Sequence, residues 1–194
     1  MTQSGKSYRE IVGLAPSTAA LNDSVLIIID AQNEYVVGEL LITNLATSRP
    51  AIAALVERYR ASGNPVIHIL HKVAEGYPAF TPGTTLAEEF DELRPVAGEV
   101  TIEKIHPGAF TQTTLKQELD KLGRNKIVLV GYMAHACVST TAREGSQEGY
   151  DVFVVEDAIG ARDIPGATAD VVVKVVCAEL ADVFGTVIKS GDII

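Results

Sequence analysis

Apolar runs and polar interruptions alternate along this chain at a spacing that predicts strands and helices in turn. Residues 24–29, Ser-Val-Leu-Ile-Ile-Ile, form an unbroken run rich in β-branched side chains and bounded by polar residues. Such a run predicts a strand covered on both faces, as in a parallel sheet, and Asp30 stops it. Pro65 opens a second run, Val66 to Leu70. A third, residues 99–104, alternates with Val100 and Ile102 on one face and ends at Lys104. Runs at 126–131, 151–155 and 185–189 predict three more strands. Helical spacing fills the intervals: 48–62 ending near Gly63, 111–122 ending at Gly123, from Cys137 to about 148, and 167–181. Strands alternating with helices predict an α/β fold with parallel pairing.

The length of 194 residues fits one domain with a sizeable core. Residues 1–23 are expected to form an arm ahead of the first strand, and no internal repeat, low-complexity tract or linker divides the rest. Residues 72–87 carry Gly76, Pro78, Pro82 and Gly83 and predict a long loop. A loop of that length inside a compact domain is usually functional.

Charge narrows the partners. The formal net charge is −9, and no cluster of Lys and Arg with interleaved aromatics stands anywhere, so nucleic acid is not expected. No apolar run approaches the roughly 20 residues of a membrane span. The first residues lack the apolar core of a secretory signal, which sets the expectation of a cytoplasmic protein. Cys137 and Cys177 are the only cysteines. Two thiols are no disulfide framework. Cys177, in a helical context, is expected to be a packed core residue.

Three residues end three separate predicted strands: Asp30, Lys104 and Cys137. Each has an ordinary structural use: a cap, a solvated edge lysine, a small buried apolar residue. Together they are chemically coherent. A parallel sheet brings its strand ends to one rim, where such folds bind ligands. The set then supplies a proton acceptor, a cation and a nucleophile. Cys137 follows an apolar run and a glycine and opens a helix-like segment. A helix N-terminus and an ammonium both favour a thiolate, so the sequence predicts a thiol pKa below the ordinary value.

These pieces resemble the isochorismatase-like cysteine hydrolases. The resemblance rests on Ile27 to Tyr35 (IIIDAQNEY), Glu103 to Phe110 (EKIHPGAF), Val130 to Gly145 (VGYMAHACVSTTAREG) and Gly149 to Asp163 (GYDVFVVEDAIGARD), in order from residue 24 to about 190. It implies a three-layer, doubly wound, mainly parallel sheet with helices on both faces. It implies a catalytic triad of Asp30, Lys104 and Cys137. It also implies a cis peptide at Tyr132–Met133, and an oxyanion hole made by the N–H groups of Met133 and Cys137. The family commonly assembles as homo-oligomers and acts on small molecules without an organic cofactor. The reaction it commonly runs is hydrolysis of an amide-type C–N bond through a thioester.

Asn33 and Tyr35 follow Asp30 and are expected on one pocket wall. His106 and Phe110 follow Lys104 and are expected on the other. Phe80 is placed as a lid, and His135, in the turn before Cys137, as a substrate contact. Specificity is expected from loops 36–47 and 72–95. No metal is expected. The amidase branch acting on nicotinamide carries an Asp-x-His, which is missing from HILHKVAEGYPAF, and His68 and His71 point to opposite faces of a regular strand. Two alternatives stand beside the amide reading. One is isochorismatase proper, which cleaves a vinyl ether and needs an acid rather than a thiol. The other is a non-enzymatic oligomeric protein whose Cys137 senses oxidants.

Overall fold

In the computed structural model, which describes residues 5–194, six parallel strands form one sheet in the order β3-β2-β1-β4-β5-β6. The strands are β1 (Ser24–Ile29), β2 (Val66–His71), β3 (Val100–Lys104), β4 (Lys126–Tyr132), β5 (Asp151–Gly160) and β6 (Thr186–Ile188). The helices are α1 (Tyr8–Ile11), α2 (Glu34–Val37), α3 (Leu45–Ala61), α4 (Leu115–Leu122), α5 (Ser139–Gln147) and α6 (Ala169–Val183). All six residues of β1 are buried, as the unbroken apolar run requires of a strand covered on both sides.

The pleat of β1 sorts its side chains into two cores. Val25, Ile27 and Ile29 meet Leu115 and Leu119 of α4, Ala142 of α5 and Val172, Val176 and Leu180 of α6. Leu26 and Ile28 meet Ile52, Leu55, Val56 and Tyr59 of α3 on the other face. Helices therefore cover both faces, and the architecture is the expected three-layer α/β fold. Strand order reverses between β1 and β4, the place where a doubly wound sheet opens a crevice at its carboxyl edge. There β4 passes very close to β1. A Cβ on Gly131 would lie 2.0 Å from Ile29 O, so only glycine fits.

Some boundaries moved. Helix α4 begins at Leu115, not near 111, because threonines hold the preceding turn: Thr113 Oγ1 accepts from Leu115 N–H, and its hydroxyl donates to Ala109 O. Strand β5 continues past 155 to Gly160 through polar Glu156 and Asp157, with a register shift where it pairs Leu129 and Gly131. Of the arm 1–23, residues 1–4 lie outside the described residues. The rest lies on its own chain: Tyr8 N–H donates to Asp182 Oδ1 of α6, and Ser17 Oγ donates to Asp151 Oδ1. The connection from β2 to β3 has no α-helix. Its Phe80, Phe90 and Leu93 pack into the α3-side core and serve as that layer there. Among the described residues no helix is long and apolar enough to cross a membrane.

Candidate active site

Asp30 leaves β1 with φ +48, a left-handed conformation uncommon outside glycine, which turns the chain at the crevice. Its side chain is fully buried. Lys104, the last residue of β3, reaches it across the end of β2, with Nζ 2.7 Å from Asp30 Oδ2 and both side chains at 0% exposure. The contact is a buried ion pair. Lys104 Nζ also donates to His106 O at 3.2 Å and to His71 Nδ1 at 3.3 Å. A buried ion pair is costly to break, since removing one partner strands the other charge.

Cys137 sits in a π-helical turn, Ala134–Val138, with α5 proper starting at Ser139. The thiol is therefore not at the free N-terminus of an α-helix. Both Asp30 and Lys104 act on it. Burial, then the Asp30 carboxylate, push its pKa up to about 12, against the pull of Lys104. This corrects the expectation of a lowered thiol pKa: desolvation in a closed site outweighs one ammonium already neutralised by Asp30. Cys177, packed in the core on α6, is pushed up to about 11, so thiolate population alone does not favour Cys137. Burial raises Asp30 as well, which makes its carboxylate a better base. Lys104 is lowered by burial and raised by Asp30 and Cys137, and the charges win, so it stays an ammonium. A thiol with a raised pKa thus stands with the buried Asp30–Lys104 ion pair.

The Tyr132–Met133 peptide is cis. Met133 N–H has no acceptor among the described residues, while Met133 O takes the N–H groups of Ala136 and Val138. Beside Cys137 opens a cavity of about 360 Å³, within the range of small-molecule pockets. Tyr35, Phe80, Met133 and Ala136 line it, with His71, Tyr77 and Glu39 as its polar margin. Phe80, at φ +51, packs edge-on against both Tyr35 and His71. Its N–H donates to the buried carboxylate of Glu34, which also accepts from Glu39 and Leu40 N–H and so ties loops 36–47 and 72–95 together.

Four residues expected on the pocket wall are not on it. Asn33 turns its amide to Thr85 O and fastens a loop. Phe110 packs on Tyr150 and under α5, held by its N–H to Glu144. His106 contributes its carbonyl to Lys104 rather than its ring. His135 lies in the Ala134–Val138 turn and does not line the cavity, its pKa lowered by burial and by Arg162. His71 does line the cavity, and the sequence offered no sign of it beyond strand-end position. Among the described residues no group of three or more His, Cys, Asp or Glu side chains stands close enough to hold a metal.

The model of the isochorismatase domain matches residues 24–190, and the chain belongs to that family, which makes it an enzyme of hydrolase type. It is 57% identical over 187 residues to the secreted isochorismatase effector Isc1 of Verticillium dahliae, covering 96% of this chain and 98% of that one. An isochorismatase from Pseudomonas putida KT2440 superposes with a TM-score of 0.94 at 34% identity, over 98% of this chain and 100% of that one. The N-carbamoylsarcosine amidase of Thermoplasma acidophilum gives 0.76 at 28% identity, over 88% and 98%.

Proposed function

We propose that the protein is a cysteine hydrolase that cleaves an amide-type C–N bond of a small molecule. The observation that carries this reading is the buried Asp30–Lys104 pair acting on a thiol that lines a small cavity. The raised thiol pKa dictates the order of events. A standing thiolate is not available, so Asp30 takes the proton as sulfur attacks the carbonyl carbon. Lys104 keeps the emerging negative charge balanced. The oxyanion is held by the N–H groups of Met133 and Cys137, of which one such donor contributes about 3 kcal/mol. Asp30 returns its proton to the leaving amine, and the acyl group stays on sulfur. Water then attacks the thioester, giving its proton to Asp30, and the sulfur leaves and recovers that proton. The similarity to N-carbamoylsarcosine amidase supports a C–N substrate.

A second reading has its own support in the relative named an isochorismatase effector. There Asp30, raised by burial, would act as the acid that protonates a vinyl-ether carbon, and no covalent sulfur intermediate forms. One experiment separates the two. The protein and its Cys137→Ala variant are assayed on a panel of amides, ureides and isochorismate, with intact-mass detection of an acyl adduct. The amide reading expects an adduct and a loss of at least about 10³-fold in kcat/KM in the variant, since nucleophile removal elsewhere costs that much or more. Isochorismate cleavage that survives Cys137→Ala, with no adduct on any amide, overturns it. The same relative is called secreted, so a secreted location competes with the cytoplasmic expectation. A homo-oligomer is part of the proposal.

A further inference from the structure

We propose that His71 contacts the substrate, holding a hydrogen-bond acceptor next to the scissile carbonyl, so that the preferred substrates are small amides or ureides with a second acceptor atom. This rests on the cysteine-hydrolase reading, and it adds a residue to which that reading gives no role. The argument begins with Lys104, which has only donors to offer. His71 Nδ1, 3.3 Å from Nζ, must therefore accept, and a neutral imidazole that accepts at Nδ1 carries its proton on Nε2. Burial first, then the Lys104 charge, hold His71 below its ordinary pKa, with Asp30 pulling the other way. The neutral form is thus the resting one at neutral pH.

The ring is also held in place. Gln32, two residues beyond Asp30, clamps the His71 backbone from both sides: Oε1 accepts from His71 N–H at 2.8 Å and Nε2 donates to His71 O at 3.1 Å. The Phe80 ring stands against the imidazole with centroids 5.2 Å apart. Nε2 has no hydrogen-bond partner among the described residues, and the side chain lines the same cavity as Cys137. The other titratable groups on this wall are Tyr35, Tyr77 and Glu39, and behind it stand Asp30 and Lys104. A positioned, unspent donor in a mainly apolar cavity discriminates strongly, because an analogue without an acceptor leaves it unpaired.

The test uses two alkylating probes that differ in an acceptor. Iodoacetamide carries a carbonyl oxygen and an amide, whereas allyl bromide carries neither. Each forms a carbon–sulfur bond to Cys137 and releases halide, with the thiol proton passing to Asp30 or solvent. Rates at Cys137 are read by peptide mass, with Cys177 as internal reference, in the parent, His71→Phe, His71→Leu and His71→Asn, each checked by thermal melting. The proposal expects the iodoacetamide-to-allyl bromide rate ratio at Cys137 to fall about tenfold in His71→Phe and His71→Leu. His71→Asn, which keeps an acceptor and a donor, retains most of the ratio. An unchanged ratio in the folded apolar variants overturns the role of His71 and leaves the nucleophile standing. A parent that forms no acyl adduct at Cys137 with any amide or ureide of the panel overturns the cysteine reading itself, and this proposal with it.

Discussion

The proposed chemistry turns on where one proton rests. Asp30 and Cys137 compete for it beside a permanent ammonium, and burial raises both. Replacing the carboxylate by a neutral amide of the same shape therefore has opposite effects on two measurements. Asp30→Asn removes the negative charge that raises the thiol and leaves Lys104, which lowers it. The pH midpoint of Cys137 alkylation should fall below the parent's, and labelling at neutral pH should accelerate. Hydrolysis should collapse at the same time, since no group is left to take and return the proton. A midpoint that stays put would mean that Asp30 does not act on the thiol. Asp30, Lys104 and Cys137 could be singled out in the sequence because each stands at or beyond the end of a predicted strand, and strand ends share a rim. His71 could not. In sequence it resembles His68, three residues earlier, yet His68 is fully buried with Nδ1 2.9 Å from Glu89 and Nε2 3.0 Å from Glu99, while His71 meets Lys104. The difference lies in partners from distant segments.

Elements built on apolar periodicity were legible to within a few residues, and the segment between β2 and β3 was legible only as a long loop. Polar side chains hold it. Gln32 Nε2 and Asn33 Nδ2 donate to Ala87 O and Thr85 O, and His68 pins Glu89 and Glu99 onto the α3-side layer. No periodic pattern encodes such fastenings. Glu99 is the anchor. Burial raises it, but the guanidinium of Arg60, Val96 N–H and His68 outweigh burial and hold its carboxyl at about 2, against an ordinary 4.5. A depressed carboxyl stabilises the fold above its unfolded pKa, and that contribution fades as pH falls toward about 2. Glu99→Gln should then lower unfolding stability at pH 7 by about 1–2 kcal/mol, less than the full shift implies because the carboxylate borders an open cleft. Chemical denaturation from pH 7 down to pH 3 checks it: the parent should lose stability faster than the variant as pH falls below 5. Parallel curves would remove Glu99 as the anchor.

At the scale of the whole molecule, strand order decides which depression can be a site. The order β3-β2-β1-β4 places Lys104 two strands from Asp30, so the pair forms only when these three strands are in register and the buried ammonium reaches across the end of β2. That order could not be read from the chain, since the alternation of strands and helices fits several doubly wound arrangements, and the resemblance to a family implied only that the sheet is doubly wound. The same order separates two clefts. The larger, about 630 Å³, opens around the amino ends of β2 and β3 and is bordered by Arg60, Lys121 and Arg124. Its charges are already engaged: Arg60 with Glu99, Lys121 with Glu118, Arg124 with Leu21 O, Ser24 O and Asn64. It holds no nucleophile, and open parallel sheets bind at the opposite edge. The smaller cavity, beside Cys137, is the one that opens at the carboxyl edge with Asp30 and Lys104 behind it. Lys121→Glu, a charge reversal in the larger cleft, should therefore leave kcat/KM within about twofold of the parent, as a surface substitution away from the chemistry does. Steady-state kinetics on whichever substrate the panel yields measures it. A drop of tenfold or more, with the melting temperature unchanged, would mean that the larger cleft takes part in substrate binding and that the site extends through to the amino edge of the sheet.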